Sequence, residues 1–133
     1  MTFALGDIVY LKSPIAGHFK YHIYLGQNEF LVSLCIFLNS RVRSPTDVIF
    51  DCSDFPTILP SATGLSVVSL SMVPRFKAEQ FELYQAMKQG VISVSVAQKI
   101  VDHCPAARAL TTNERRFVST QLEYFILGQT TSI

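Results

Sequence analysis

The chain has 133 residues, 49% of them apolar and 16% charged, with a formal net charge of +1. That length and apolar share fit one folded domain with a real core and exclude a disordered chain. The near-zero balance excludes a global electrostatic drive toward nucleic acid and leaves any such binding to a local patch.

The longest apolar run, 30–38, is interrupted by Ser33 and falls far short of the roughly 20 residues that span a bilayer. No basic stretch followed by a long apolar one opens the chain, so neither a signal peptide nor a membrane segment is expected. Cys35, Cys52 and Cys104 are odd in number, far apart and in no metal spacing, which fits reduced thiols in a cytoplasmic protein.

In chain order, Gly6 and Asp7 turn into a strand over 8–11 that ends at Ser13-Pro14. Residues 15–17 are a loop, a strand over 18–25 follows, and Gly26-Gln27-Asn28 is a hairpin-type turn. The next strand, 29–38, is apolar on both faces in its middle and is therefore expected to be central. A fourth strand falls at 48–50 and a fifth at 65–70, with an irregular loop over 53–64 between them that carries two prolines, Pro56 and Pro60. Five or so short strands predict a small barrel or strongly coiled sheet.

Near Pro74 the pattern turns helical. Phe81, Tyr84 and Lys88 recur at helical spacing after Lys77, with Gly90 as the expected cap. A second helix runs from Ser93 or Ser95 to Pro105 with a stripe of Val96, Ile100 and Cys104. A third opens on a capping box, Thr111 to Glu114, and carries Val118, Leu122, Phe125 and Ile126 on one face. The expectation is an α+β chain, mainly β, forming a single domain over 1–133. A barrel of about five strands occupies 1–74, and a helical part over 75–128, with two or three helices, packs on it.

Within the second strand, alternation places His18, Lys20, His22 and Tyr24 on one side and Phe19, Tyr21, Ile23 and Leu25 on the other, toward a core. As chemistry, a row of two imidazoles, an ammonium and a phenol holds a phosphate and moves a proton. As plain structure, it is the polar outside of a strand. Asn39 and Ser40 close the central strand with groups that hydrogen-bond a phosphate oxygen. Arg41 and Arg43 either extend a phosphate track or sit in a solvated turn. Tyr10 and Tyr24 offer rings to bases or pack. Arg75 is expected to pair with Asp51 or Asp54, His103 to interact with its helix end, and Ser66, Ser69 and Ser71 to line a solvent face. No third ligand joins His18 and His22 at a zinc spacing, and no Gly-rich phosphate loop or nucleophile elbow occurs, so no metal or cofactor is expected.

The opening Gly6-Asp7-Ile8-Val9-Tyr10-Leu11, the loop with Gly17-His18 and the strand directly after it resemble the PemK/MazF-like toxin family. Phe30-Leu31-Val32 to Leu38-Asn39-Ser40 is similar to the family's third strand, and Gly64-Leu65-Ser66-Val67-Val68-Ser69-Leu70 to a later one. The resemblance covers about residues 5–90. It implies an SH3-like β-barrel, a homodimer, metal-independent cleavage of single-stranded RNA, and an antitoxin that blocks the groove. The family's usual catalytic pair is an arginine at the start of the second strand and a threonine at the end of the third. Here Lys20, Tyr21 and His22 stand at the first position and Asn39 or Ser40 at the second, and no arginine precedes Arg41. In such chemistry His22 would be the base, Lys20 the cation facing the phosphorane and His18 the acid. Asn39, Ser40, Arg41, Arg43 and Tyr24 would contact substrate. The alternative is a catalytically inactive barrel that keeps its groove as a binding surface for a protein or a nucleic acid.

Overall fold

The computed structural model describes residues 2–131. The chain is α+β and mainly β: the described residues form seven antiparallel strands in one sheet and three α-helices. The strands are β1 (Asp7–Lys12), β2 (Phe19–Gln27), β3 (Ser33–Asn39), β4 (Val48–Asp51), β5 (Leu65–Val68), β6 (Arg75–Phe76) and β7 (Met87–Val91). The helices are α1 (Ala78–Leu83), α2 (Val94–His103) and α3 (Thr112–Thr131). Strand order is β4-β5-β3-β2-β1-β7, with β6 pairing β3 off that path. β4 and β7 are therefore the two ends of the sheet and do not pair with each other.

Two apolar clusters lie on opposite faces of β2. Ile23 and Leu25 join Ile8, Ile36, Leu38 and the inner stripes of α2 and α3 in the larger one. On the other face, Tyr24 joins Val9, Leu11, Cys35, Phe76, Phe81 and Ala86. Both faces of the sheet's middle are thus covered. Burial pushes the Cys35 thiol far up, so it behaves as a small core hydrophobe.

The local signals read from the sequence place α2 and α3. Ser93 Oγ accepts a hydrogen bond from the Val96 amide at 3.1 Å, and Val96, Ala97 and Ile100 are buried. The capping box forms in both directions: the Glu114 amide donates to Thr111 Oγ1 at 3.1 Å and the Thr111 amide to Glu114 Oε1 at 2.9 Å. Val118, Leu122 and Phe125 are buried beneath it. At the end of α2, His103 Nδ1 donates to the Lys99 carbonyl at 2.8 Å, a helix-end role as expected. Among the described residues no helix is long and apolar enough to cross a membrane.

Four expectations are corrected. The helix expected from Lys77 to Gly90 is only α1, six residues long. It stops where Gln85 takes a left-handed φ of 58°, and the chain then pairs with the free edge of β1 as β7. Gly90 is consequently a strand residue. A Cβ there would lie 2.0 Å from Thr57 Oγ1, so only glycine lets the 53–64 loop rest on β7. The turn between β2 and β3 falls later than Gly26-Gln27-Asn28: Asn28 Oδ1 accepts from the amides of Phe30 and Val32 and ties off the loop before Ser33. Arg75 pairs with Glu114 of α3 at 3.5 Å, not with Asp51 or Asp54. Ser66, in β5, and Ser69, just past it with its amide donating to the Phe37 carbonyl, are buried rather than on a solvent face.

Candidate nucleic-acid interface

At one end of the sheet β1 finishes, β2 begins and β3 finishes. A groove of about 280 Å³ lies there, walled by those strand ends and by Ile58, Leu59 and Ser61 of the 53–64 loop. Three short segments fix its rim. The loop before β2 is closed by hydrogen bonds from the Gly17 amide to the Ser13 carbonyl and from the Ser13 amide to the His18 carbonyl, both 2.9 Å. Gly17 supplies the positive φ of 77° that this tight return needs. After β3, Asp47 Oδ2 accepts from the amides of Arg43 at 2.7 Å and Ser44 at 3.0 Å, which pins the backbone that carries the Arg43 guanidinium. Across the groove, Thr63 Oγ1 donates to the Ser40 carbonyl and ties the lip to the end of β3.

Of the eight expected site residues, His18, Lys20, Asn39, Ser40 and Arg43 line this groove. Lys20 Nζ donates to Asn39 Oδ1 and lies 4.7 Å from the centre of the Phe37 ring. Partial burial, helped by the nearby Arg43 charge, lowers the Lys20 ammonium below the usual lysine range. An incoming anion relieves both effects. The Asn39 side-chain nitrogen, the Ser40 hydroxyl and the Arg43 guanidinium have no hydrogen-bond partner among the described residues. The groove is therefore lined by these three unused donors, one of them on a cation, beside the Lys20 ammonium, which is what an anion needs.

His22, Tyr24 and Arg41 do not join it. His22 is 0% exposed, between the rings of Phe37 at 5.0 Å and Phe76 at 5.7 Å. Burial holds its ring at about 4, against a smaller opposing effect from the hydrogen bond of Nδ1 to the Lys20 carbonyl. A neutral, enclosed imidazole reaches no substrate, so His22 is removed as a base. Tyr24, 7% exposed, bonds Ser33 Oγ at 3.3 Å within the second apolar cluster. Arg41 is exposed and does not line the groove. The alternation in β2 is as expected; what differs is that Phe76, Phe81 and Ala86 cover the face that carries His22 and Tyr24.

The aromatic part of the groove differs from expectation. Tyr10, Phe19 and Tyr21 all line it, with Tyr10 stacked on Phe19 at 5.2 Å and 24° and 4.5 Å from the Tyr21 ring. Phe19 and Tyr21 alternate with the polar row and so read as core; both are only half-buried, Tyr21 against the edge of the larger cluster. The alternating aromatics of two neighbouring strand ends were the available signal. The irregular 53–64 loop gave no hint that Ile58 and Leu59 form the opposite lip.

A scan against protein-family models and a search of curated proteins both find no match to this chain.

Proposed function

We propose that this chain is a PemK/MazF-like protein whose groove binds single-stranded RNA. The observation that carries the reading is the pairing of donors on Lys20, Asn39, Ser40 and Arg43 with the half-buried rings of Tyr10, Phe19 and Tyr21 along the same groove. Phosphates meet the first set, and splayed bases stack on the second. On this reading the sheet is the family's SH3-like core. The 53–64 loop, seated on Gly90, stands where a strand ladder would close a barrel between β4 and β7. Exposed Met87 and Val91 on the end strand β7 support the homodimer that the resemblance implies. The implied antitoxin would cover the same donors.

Cleavage is a second reading, favoured by one feature: His18, an exposed imidazole, stands on the same groove wall as Lys20. With His22 enclosed, proton transfer falls to His18 alone. Photocrosslinking of 4-thiouridine RNA to the purified protein in EDTA tests both readings. Crosslinks in peptides carrying Tyr10, Phe19 or Tyr21 support RNA binding in the groove, and crosslinks confined to other surfaces refute it. Cuts in the same RNA that vanish in His18→Ala carry the second reading.

A further inference from the structure

His18 is held in a specific way. Its Nδ1 lies 2.9 Å from the Phe19 carbonyl oxygen, and a carbonyl only accepts. In the neutral ring Nδ1 therefore carries the proton, and Nε2 is left with a free lone pair. The other nitrogen-bearing side chains on the groove wall present donors: the Lys20 ammonium, the Arg43 guanidinium, and an Asn39 amide whose oxygen is already taken by Lys20. The hydroxyls of Ser40, Ser66, Tyr10 and Tyr21 turn either way, and that of Ser61 donates to the Leu65 carbonyl. Among the described residues of the wall, Nε2 of His18 is thus the one nitrogen acceptor beside the nitrogen donors.

Phosphate oxygens satisfy the donors but have nothing to give the lone pair. A ribose 2′-hydroxyl does, since it sits beside the phosphate and donates a proton. We infer that His18 is the residue by which the groove tells RNA from DNA, its Nε2 accepting a hydrogen bond from the 2′-hydroxyl of the bound nucleotide. This rests on the RNA-binding reading, but it is independent of whether the strand is cut.

The test compares one mixed-sequence oligomer as RNA, as 2′-fluoro RNA and as DNA, by fluorescence anisotropy in EDTA, with a gel to confirm that the RNA stays intact. The 2′-fluoro strand lacks the donor, so the comparison needs no change to the protein. One hydrogen bond is worth about two- to tenfold in affinity. The wild-type protein is expected to prefer RNA by that factor over both other strands, and His18→Ala to bring the ratio to about one. Equal binding of all three strands by the wild type, or a preference that survives in His18→Ala, overturns the inference while leaving RNA binding intact. Failure of the wild type to bind any of the three overturns the RNA-binding reading itself.

Discussion

Lys20 donates to the side-chain oxygen of Asn39 and so turns the Asn39 nitrogen outward as a donor. The two residues lie on neighbouring strands, at the start of β2 and the end of β3. Their contact makes one anion-facing unit out of two side chains. Asn39→Asp separates its two roles. The carboxylate keeps Lys20 as partner, so the melting temperature is expected to hold or rise. The outward donor is lost and a negative charge takes its place, so RNA affinity is expected to fall about ten- to a hundredfold. Thermal melts beside anisotropy titrations read both. Unchanged affinity would show that Asn39 does not face the ligand.

Arg43 is held at its backbone by Asp47 while its guanidinium stays unpartnered. If it meets a phosphate, Arg43→Ala should make the dependence of log affinity on log salt shallower by about 0.7 for a single strand. Titrations at four salt concentrations give the slope. An identical slope in the variant would place Arg43 off the strand's path.

Burial gives His22 a different consequence. Its folded value of about 4 lies below the ordinary 6.5 of an unfolded histidine. Between those limits the unfolded chain binds more protons, so stability rises with pH and is lost as pH falls from about 6.5 toward 4. The slope is about 1.4 kcal/mol per pH unit, or about 3 kcal/mol over the window. Urea unfolding at pH 4.5 and 7 should show the loss, and His22→Phe should remove most of this histidine's share. A variant as acid-sensitive as the wild type would assign the loss to other groups.

Gly90 couples stability to the groove. Gly90→Ala drives a methyl into Thr57 at a φ of 129°, expected to cost about 2 kcal/mol. Because the same loop carries Ile58 and Leu59 on the groove lip, RNA affinity should fall as well. Chemical denaturation and a binding titration test the pair. A variant as stable as the wild type would mean that the loop does not press on β7.

The parts of this fold legible in the sequence are those fixed by neighbours along the chain. Ser93 and the Thr111–Glu114 box announce their helices because a cap is satisfied within three residues. The strand over Met87–Val91 was hidden because its pairing with Asp7–Lys12 is distant in sequence, and Gln85, which breaks α1, carries no breaker signal. The groove was half legible for the same reason. Alternation told which residues share a side of β2, but not that Phe37 and Phe76 would enclose His22 while Lys20 stays at the groove. The Gly6-Asp7 opening also has a structural role: Asp7 accepts from the Ala4 amide at 2.8 Å and meets Lys88 of β7 at 3.3 Å.

The most direct measurement is an anisotropy titration of a mixed-sequence single-stranded RNA with the wild-type protein and with the Lys20→Ala/Arg43→Ala double variant. Saturable binding by the wild type, weakened at least tenfold in a double variant that melts as a folded protein, is the expected result. No binding by the wild type, or equal binding by both proteins, would contradict the assignment of this groove to RNA.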